Sequence, residues 1–282
     1  MLIVKLWGGI GNQLFQYVFG QYLHNKYDQE VRYDDNSYIS TDKLRKRELD
    51  DLDIEIKMNN HCIFSKYRGV KGRLLRYIYQ MNPRHHFIGL DEIIPVHFNY
   101  KKEYYFQAYW QDYKYYDWLI KNVPDFRITS KSFPKEIVEY KDMIQTTADS
   151  VSLHVRRGDY FKPQFVNIFG VCTEEYYKNA INQIKEIYPE ARFFVFSDDM
   201  DWVRSHLKLG ENFVLIPNYE ISQFAYIELM SLCHHHIISN SSFSWWGSVL
   251  NSKEDTVVIA PSIWMKNTTK TLALDNWIKI PI

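Results

Sequence analysis

Residues 1–20 read MLIVKLWGGIGNQLFQYVFG and give the clearest fold signal in the chain. Residues 2–6 are apolar and β-prone, a cluster of glycines follows, and Asn12 can cap the helical repeat of apolar side chains that comes next. A second β-prone segment occupies residues 31–34. Strand, turn, helix and strand in this order predict a β-α-β unit and therefore a parallel sheet.

The second half of the chain repeats this alternation more regularly. Predicted strands cover residues 151–155, 192–196, 213–216, 236–238 and 256–260. Helical patterns separate them, which predicts a doubly wound α/β domain with ligand sites at the carboxyl ends of its strands. Apolar periodicity is lost over residues 145–150, so the predicted domains are 1–148 and 149–282.

Composition excludes several classes of partner. The 34 basic and 34 acidic side chains cancel, so no net charge favours nucleic acid. Three widely spaced cysteines indicate neither a disulfide framework nor a zinc site, and neighbouring histidines in the run 234–236 point to opposite faces of an extended segment. The sequence contains no signal-peptide pattern and no run of about 20 apolar residues. We therefore expect a cytoplasmic protein that needs no metal or cofactor.

A glycine-rich loop, GGIGNQ at residues 8–13, joins the first predicted strand to its helix. Glycines let a backbone approach a ligand closely, and the first N–H groups of a helix attract anions. The spacing matches neither a Walker loop nor a dinucleotide fingerprint. An anion-binding loop and a plain turn are both compatible with this segment.

A basic segment, HVRRGDY at residues 154–160, follows a predicted strand. His154 and Arg156 share one side of the strand end, where both can contact one phosphate group. The alternative is a salt-bridged loop in which Asp159 neutralises Arg157.

An acidic segment, FSDD at residues 196–199, follows the next predicted strand. A carboxylate here can accept hydrogen bonds from both N–H donors that guanine offers. Asp199 and Asp201 also form a D-x-D pattern, by which some enzymes that use nucleotide sugars hold a metal with a nucleotide diphosphate. Asp is in addition a favoured helix N-cap. Guanine recognition, metal binding and capping are all compatible with the sequence.

A segment rich in hydroxyl and amide groups, ISNSSFSWWG at residues 238–247, runs from a predicted strand into a helix. Its serines and the first helical N–H groups form a neutral site for a diphosphate, reinforced by the helix dipole. A serine N-cap alone accounts for two of these residues and not for the whole segment.

Four of these motifs occur in a characteristic order: GGIGNQLFQYVFG, HVRRGDY, FSDD and SNSSFSWWG. In this order and at these spacings they resemble the motifs of the bacterial α-1,2-fucosyltransferases of glycosyltransferase family 11. The resemblance implies a GT-B-like fold of two Rossmann-type α/β domains that face each other across a cleft. It also implies transfer of L-fucose from GDP-fucose to the 2-hydroxyl of a terminal galactoside, on an O-antigen or capsule precursor or a free oligosaccharide.

The resemblance also assigns roles to residues. It places Arg156 on the donor diphosphate with His154 beside it. The donor-binding residues that it implies are Gly9, Gly11, Asn12, Gln13, Arg157, Ser197, Asp198, Asp199, Asn240, Ser241, Ser242, Phe243 and Ser244. Inversion at the sugar needs no covalent nucleophile, and we name Asp159 first and His154 second as candidate general base. The alternatives are a metal-dependent transferase of another nucleotide sugar and a non-catalytic carbohydrate-binding protein.

A basic stretch lies outside these motifs. Its members are Lys66, Arg68, Lys71, Arg73, Arg76 and Arg84, with no acidic residue among them. They surround the apolar side chains of Leu74, Leu75, Tyr77 and Ile78. A helix on the inner face of the plasma membrane and an ordinary solvated basic surface are both compatible with this pattern.

Overall fold

The structure, a computed structural model, describes residues 1–40, 42, 45–59, 61–67, 69–89, 94–158, 170–266 and 271–282. The chain divides into two compact units, Met1–Thr129 and Ser130–Ile282. Each unit contains a sheet whose described strand pairs are all parallel. The predicted α/β class with parallel sheets is therefore confirmed.

The first unit is a four-stranded sheet in the order β2-β1-β4-β3. Its strands are β1 (Leu2–Lys5), β2 (Val31–Asp34), β3 (His85–Ile88) and β4 (Glu103–Phe106). Its α-helices are α1 (Ile10–Tyr27), α2 (Ser37–Ser40), α3 (Gly69–Met81) and α4 (Tyr113–Asn122). The β1-α1-β2 unit confirms the prediction made from residues 1–34, whereas β3 and β4 were not predicted.

Helix α1 begins earlier than the sequence suggested. Gly9 is its N-cap and makes no side-chain capping bond, so the prediction that Asn12 caps this helix is wrong. Gly8 has a φ of 82°, in the left-handed region that favours glycine, and this conformation turns the chain from β1 into α1. The helix packs on the sheet through Leu14, Phe15 and other fully buried side chains.

The second unit is a six-stranded sheet in the order β10-β9-β8-β5-β6-β7. Its strands are β5 (Ser150–Val155), β6 (Arg192–Ser197), β7 (Phe213–Leu215), β8 (His235–Ile237), β9 (Val258–Pro261) and β10 (Ile278–Ile280). Its α-helices are α5 (Val138–Gln145), α6 (Glu174–Ile187), α7 (Met200–His206), α8 (Gln223–Ser231) and α9 (Ser242–Val249). All five predicted strands are present, and β10 was not predicted.

Helices cover both faces of this second sheet. Along β6, Phe193 and Val195 belong to one apolar cluster with residues of α6, and Phe194 and Phe196 belong to another with residues of α8. Alternate side chains of a strand point to opposite faces, so the two clusters lie on the two sides of the sheet. A parallel sheet covered on both faces is the doubly wound arrangement that the alternation predicted.

The division between the units differs from the predicted boundary at 148/149. The second unit begins at Ser130, and it includes α5. The reason is burial, since Ile137 and Ile144 are fully buried in the cluster that contains Phe194. Loss of apolar periodicity after residue 144 marks the end of α5 and not the end of a domain.

Buried histidines connect the stability of the second unit to pH. His236 is fully buried in β8, where its Nδ1 shares a hydrogen bond of 2.7 Å with Ser152 Oγ and its Nε2 lies 2.7 Å from Asn251 Nδ2. Asn251 Nδ2 can only donate, so Nε2 accepts and the ring is neutral. Burial, followed by the charges of neighbouring basic groups, lowers the pKa of His236 to about 3.

We predict that replacing His236 weakens the acid dependence of stability. Below about pH 6.5 the unfolded chain protonates this histidine while the native ring stays neutral, so the free energy of unfolding falls as pH falls. His236→Asn should reduce that slope by up to about 1.4 kcal/mol per pH unit between pH 6 and 5. The measurement is urea unfolding at several pH values.

The exposed His61 offers a matched control, His61→Asn, which should leave the slope near that of the wild type. Burial raises the pKa values of the Asp34 and Glu48 carboxyl groups, so these groups stabilise the fold in acid and oppose the effect of His236. Both groups are present in every variant, so the difference in slope between variants reports the replaced histidine. An unchanged slope in His236→Asn would contradict the prediction.

Candidate functional site

Three sequence motifs of the second unit meet at one edge of its sheet. Strand β5 lies between β8 and β6, so the carboxyl ends of these parallel strands are adjacent. His154 lies near the end of β5, Ser197 ends β6, and Ser239 follows β8. The chain adds β6 and β7 on one side of β5 and β8, β9 and β10 on the other, so the topological switch point lies between β5 and β8. Open α/β sheets bind ligands at such points.

Arg156 is held at this edge by the acidic motif. Its Nη1 lies 3.0 Å from Asp198 Oδ2, and the guanidinium and the carboxylate are each about a quarter exposed. Asp198 Oδ1 accepts a hydrogen bond of 2.9 Å from the backbone N–H of Arg157. A Cβ atom on Gly158 would collide with the same carboxylate. Asp198 therefore fixes both the Arg156 side chain and the backbone that follows it.

Arg157 points toward the first turn of α7. Its guanidinium lies 4.0 Å from the centre of the Trp202 ring, and its Nε lies 3.5 Å from Asp199 Oδ2. Asp199 is the N-cap of α7, since its side chain accepts a hydrogen bond of 3.1 Å from the Trp202 N–H. Ser197 Oγ in turn accepts from the Asp199 N–H at 2.9 Å. These contacts make the capping alternative correct for Asp199.

The D-x-D alternative has little support in this geometry. Asp201 is fully exposed in the first turn of α7, where it pairs with Arg204 at 3.3 Å. The Asp199 carboxylate is engaged by the helix N-terminus and by Arg157. A metal ligand pair would have to give up all of these contacts.

His154 is a neutral side chain of the sheet interior. It is only 5% exposed, and its Nδ1 shares a hydrogen bond of 2.8 Å with the buried Ser239 Oγ. Its ring centre lies 5.5 Å from that of Phe243. Burial, and next the charge of Arg156, lower the pKa of His154 to about 3. A base with that pKa is poorly matched to accepting a proton near neutral pH, so His154 is a poor candidate for the general base.

The segment after β8 contains both structural and accessible groups. Asn240 is 1% exposed and donates through Nδ2 to the carbonyls of Gly170 and Trp264. Ser241 is the N-cap of α9 and accepts from the Phe243 N–H at 3.3 Å. Ser244 is buried and donates to the Ser241 carbonyl.

Ser242 and Phe243, in contrast, are partly exposed at the start of α9. The sequence motif gives no role to Ser239, which contacts His154. The signal in the sequence for this contact is that both residues lie at the ends of predicted strands. The binding residues that this segment offers are therefore fewer than the motif suggested.

The glycine-rich loop belongs to the first unit. Gln13 is fully buried, and its amide donates to the carbonyls of Gly8 and Lys46 at 2.9 Å each while it accepts from the Glu48 N–H at 2.9 Å. Asn12 Oδ1 accepts from Gln111 Nε2 at 2.8 Å. These contacts hold the loop, so Gln13 has a structural role. Gly9 and Gly11 lie at the start of α1, as the sequence indicated.

Asp159, the first candidate for the general base, lies outside the described residues.

Asp149, His234 and His235 bring potential metal-ligand atoms within 4.8 Å of one another at the amino ends of β5 and β8. Both ring nitrogens of His234 face backbone carbonyls, at 3.2 and 3.0 Å, and the two imidazoles stack in parallel 4.4 Å apart. Both nitrogens of His234 are therefore already engaged by backbone groups.

The chain is similar to known proteins over most of its length. The profile of Glycosyl transferase family 11 matches residues 75–281, which include all three motifs of the site. The chain belongs to this family. It is 31% identical to the O-antigen biosynthesis glycosyltransferase WbnK of Escherichia coli, over 97% of the chain and 98% of WbnK. It is 28% identical to an α-1,2-colitosyltransferase of Escherichia coli, over 94% and 93% of the two chains.

More distant similarities support the same grouping. The galactoside 2-α-L-fucosyltransferase Sec1 of Mus musculus is 31% identical over 39% of this chain and 30% of its own length. The crystal structure of the fucosyltransferase NodZ from Bradyrhizobium aligns with a TM-score of 0.52 and 13% identity, covering 88% of this chain and 92% of NodZ. At that identity the likeness concerns the fold, which is of the type found in GT-B fucosyltransferases.

We predict that truncating Asn240 destabilises the fold, whereas truncating the nearby Ser242 does not. Asn240→Ala leaves the buried carbonyls of Gly170 and Trp264 without a donor and should lower the free energy of unfolding by about 1–3 kcal/mol. Ser242→Ala removes a partly exposed hydroxyl and should change it by less than about 0.5 kcal/mol. Urea unfolding measures both. Equal stability of the two variants would contradict the structural role of Asn240.

Proposed function

We propose that this chain is an inverting glycosyltransferase that moves L-fucose from GDP-fucose to the 2-hydroxyl of a terminal galactoside. The observation that carries the proposal is the placement of Arg156, held by Asp198 at the carboxyl end of β5, whose neighbour β8 leads into the hydroxyl-rich start of α9. A guanidinium next to neutral hydroxyl and N–H donors is the set that a leaving diphosphate requires.

The relatives support the kind of linkage and the donor class. Relatives whose names give transfer to a 2-position include the α-1,2-colitosyltransferase and the galactoside 2-α-L-fucosyltransferase Sec1. NodZ, which shares the fold, has been crystallised with GDP and soaked with GDP-fucose. An O-antigen transferase among the relatives supports a bacterial surface glycan as the acceptor. The proposal includes donor binding mainly by the second unit.

Arg156 stabilises the departing GDP in this proposal. In the free protein its positive charge is balanced by Asp198 at 3.0 Å. A diphosphate would accept hydrogen bonds from the same guanidinium, which has five N–H donors in a planar fork. Negative charge on the diphosphate grows as the glycosidic bond breaks, so the interaction strengthens toward the transition state.

The other donors are uncharged. Partly exposed Ser242 and the first N–H groups of α9 lie at the positive end of the helix dipole. His154 is neutral, so it can donate one hydrogen bond without adding charge, and Ser239 holds its ring in place. We propose that this set replaces the metal that other transferases use.

Guanine recognition by Asp198 or Asp199 is retained as part of the proposal in a narrower form. Asp198 Oδ1 and Oδ2 each accept one hydrogen bond in the free protein, and a carboxylate has further lone pairs. Asp199 is committed to capping α7. Asp198 is therefore the better candidate of the two, and Asp159 is kept as the proposed general base.

A second candidate donor is GDP-colitose, because the similarity to an α-1,2-colitosyltransferase extends over 94% of the chain. Colitose is fucose without its 3-hydroxyl. A site that hydrogen-bonds that hydroxyl rejects the deoxy sugar by about 10⁴-fold, whereas an apolar pocket discriminates only about 10- to 200-fold. The ratio of kcat/KM for the two donors therefore shows whether the sugar pocket hydrogen-bonds the 3-hydroxyl.

We predict transfer from GDP-fucose to lactose or N-acetyllactosamine by the purified protein, with an α-1,2 linkage in the product. Activity should persist in excess EDTA, because Arg156 and the neutral donors stabilise the diphosphate. UDP- and ADP-linked sugars should give no product. Product analysis by mass spectrometry and NMR identifies donor, linkage and inversion.

Three outcomes would change the proposal. Faster transfer from GDP-colitose than from GDP-fucose would make the second candidate correct. Activity that is lost in EDTA and restored by manganese or magnesium would support metal binding by the D-x-D pattern. Binding of a galactoside without transfer from any donor would indicate a carbohydrate-binding protein.

We also predict that Arg156 affects turnover more than donor binding. Arg156→Lys keeps the charge but loses the planar fork, and it should lower kcat by about 10²- to 10³-fold at saturating GDP-fucose. Arg204→Lys is a matched control, because this exposed arginine is also paired with an aspartate near the same sheet edge. If Arg156→Lys folds normally and retains kcat within about threefold, Arg156 is a structural ion-pair residue only.

A further inference from the structure

Helix α3 of the first unit presents a continuous apolar stripe to solvent. Its five members are exposed by half or more: Val70 80%, Leu74 56%, Tyr77 63%, Ile78 54% and Met81 67%. They occupy positions i, i+4, i+7, i+8 and i+11, which fall within an arc of roughly 100° on one helical face. Isolated exposed apolar residues are ordinary, but an aligned row of large ones marks an interaction surface.

The opposite face of α3 attaches the helix to its unit. Leu75 and Tyr79 pack against the buried cluster that contains Ile3, Phe64 and Tyr105. Tyr79 also donates a hydrogen bond of 2.7 Å to Glu103 in β4. Rotating α3 to bury the apolar stripe would break these contacts. The stripe is therefore held outward by the packing of the other face.

Basic side chains lie along both edges of the stripe. Lys71 and Arg73 are exposed, and their positions in the helix place one on each side of the apolar row. Arg76 lies with its guanidinium 5.0 Å from the centre of the Phe87 ring. The sequence contains no aspartate or glutamate from residue 56 to residue 90. The segment that forms the stripe and its edges therefore carries only basic charges.

We infer that α3 docks the protein on an anionic lipid bilayer, with the apolar stripe in the headgroup region and the basic edges against lipid phosphates. An amphipathic helix with basic flanks lies in the plane of such a surface. Thirteen residues extend about 20 Å, which is shorter than the roughly 30 Å hydrocarbon core. Among the described residues, no helix has the length and apolarity needed to cross a bilayer.

Charge complementarity favours lipid over a second copy of the chain. Two copies meeting through this stripe would bring two basic edges together, and like charges at an interface oppose association. An anionic membrane instead satisfies the apolar row and the basic edges at the same time. The inference does not depend on the identity of the sugar donor.

The test is co-sedimentation of the full chain with phosphatidylcholine vesicles, with and without phosphatidylserine. We expect binding to the anionic vesicles at low salt and release as salt rises, because surface attraction is screened beyond about 10 Å at 0.1 M. Leu74→Gln with Ile78→Gln should weaken binding about tenfold or more. Lys71→Gln with Arg73→Gln should weaken it about fivefold per charge and flatten the salt dependence.

A matched control is Ile120→Gln, which changes an exposed isoleucine on α4 of the same unit and should leave binding unchanged. All variants should keep wild-type transfer to a soluble acceptor, so failure of the docking inference and failure of the proposed function are separable. Binding that ignores lipid charge, or that survives the Leu74 and Ile78 changes, overturns the inference. So does a shift from dimer to monomer in light scattering when the stripe is changed without any vesicle binding by the wild type.

Discussion

The candidate site depends on the pairing of β5 with both β6 and β8. That pairing aligns Val151 to Leu153 with residues of both neighbours at once. It places the ends of three strands side by side, although their motifs are separated by about 40 residues along the chain. Because β5 is buried on both faces, its register is fixed by apolar packing, and the polar residues that follow it inherit their positions from that core. The chemistry at the edge of this sheet is thus a consequence of how its interior packs.

Within that arrangement, electrostatics decides which side chains can act. Arg156 pairs with the carboxylate of Asp198 and stays partly exposed, so its charge is accessible to an anion. His154 is buried, and burial together with the charge of Arg156 keeps its imidazole neutral. One motif supplies a charged and an uncharged group two residues apart. Alternation along the strand end puts His154 and Arg156 on the same side of the sheet. The difference in charge therefore arises from how deeply each side chain is buried.

Much of the fold could be predicted from the sequence, and the reasons for the exceptions are physical. The strands of the second unit are apolar runs between helical repeats, and that pattern is strong for a sheet covered on both faces. Strands β3 and β4 were missed because HHFI and EYYF are only four residues long and show no alternation of apolar and polar side chains. The domain boundary was misplaced because α5 ends where periodicity ends, while its buried face belongs to the second core.

The residue roles were harder to predict than the fold, because a sequence gives chemical type and not hydrogen-bond partners. Gln13 and Asn240 have the amides expected of ligand-binding residues, yet each amide is used on buried backbone carbonyls. A buried carbonyl left without a donor costs about as much as a lost hydrogen bond, so a tightly turned loop requires such side chains whether or not a ligand binds. Burial therefore indicates that Gln13, Asn240 and Ser244 maintain the shape of their loops. Arg156 and Ser242 are partly exposed, so they are the side chains that stay accessible to the donor in the proposed function.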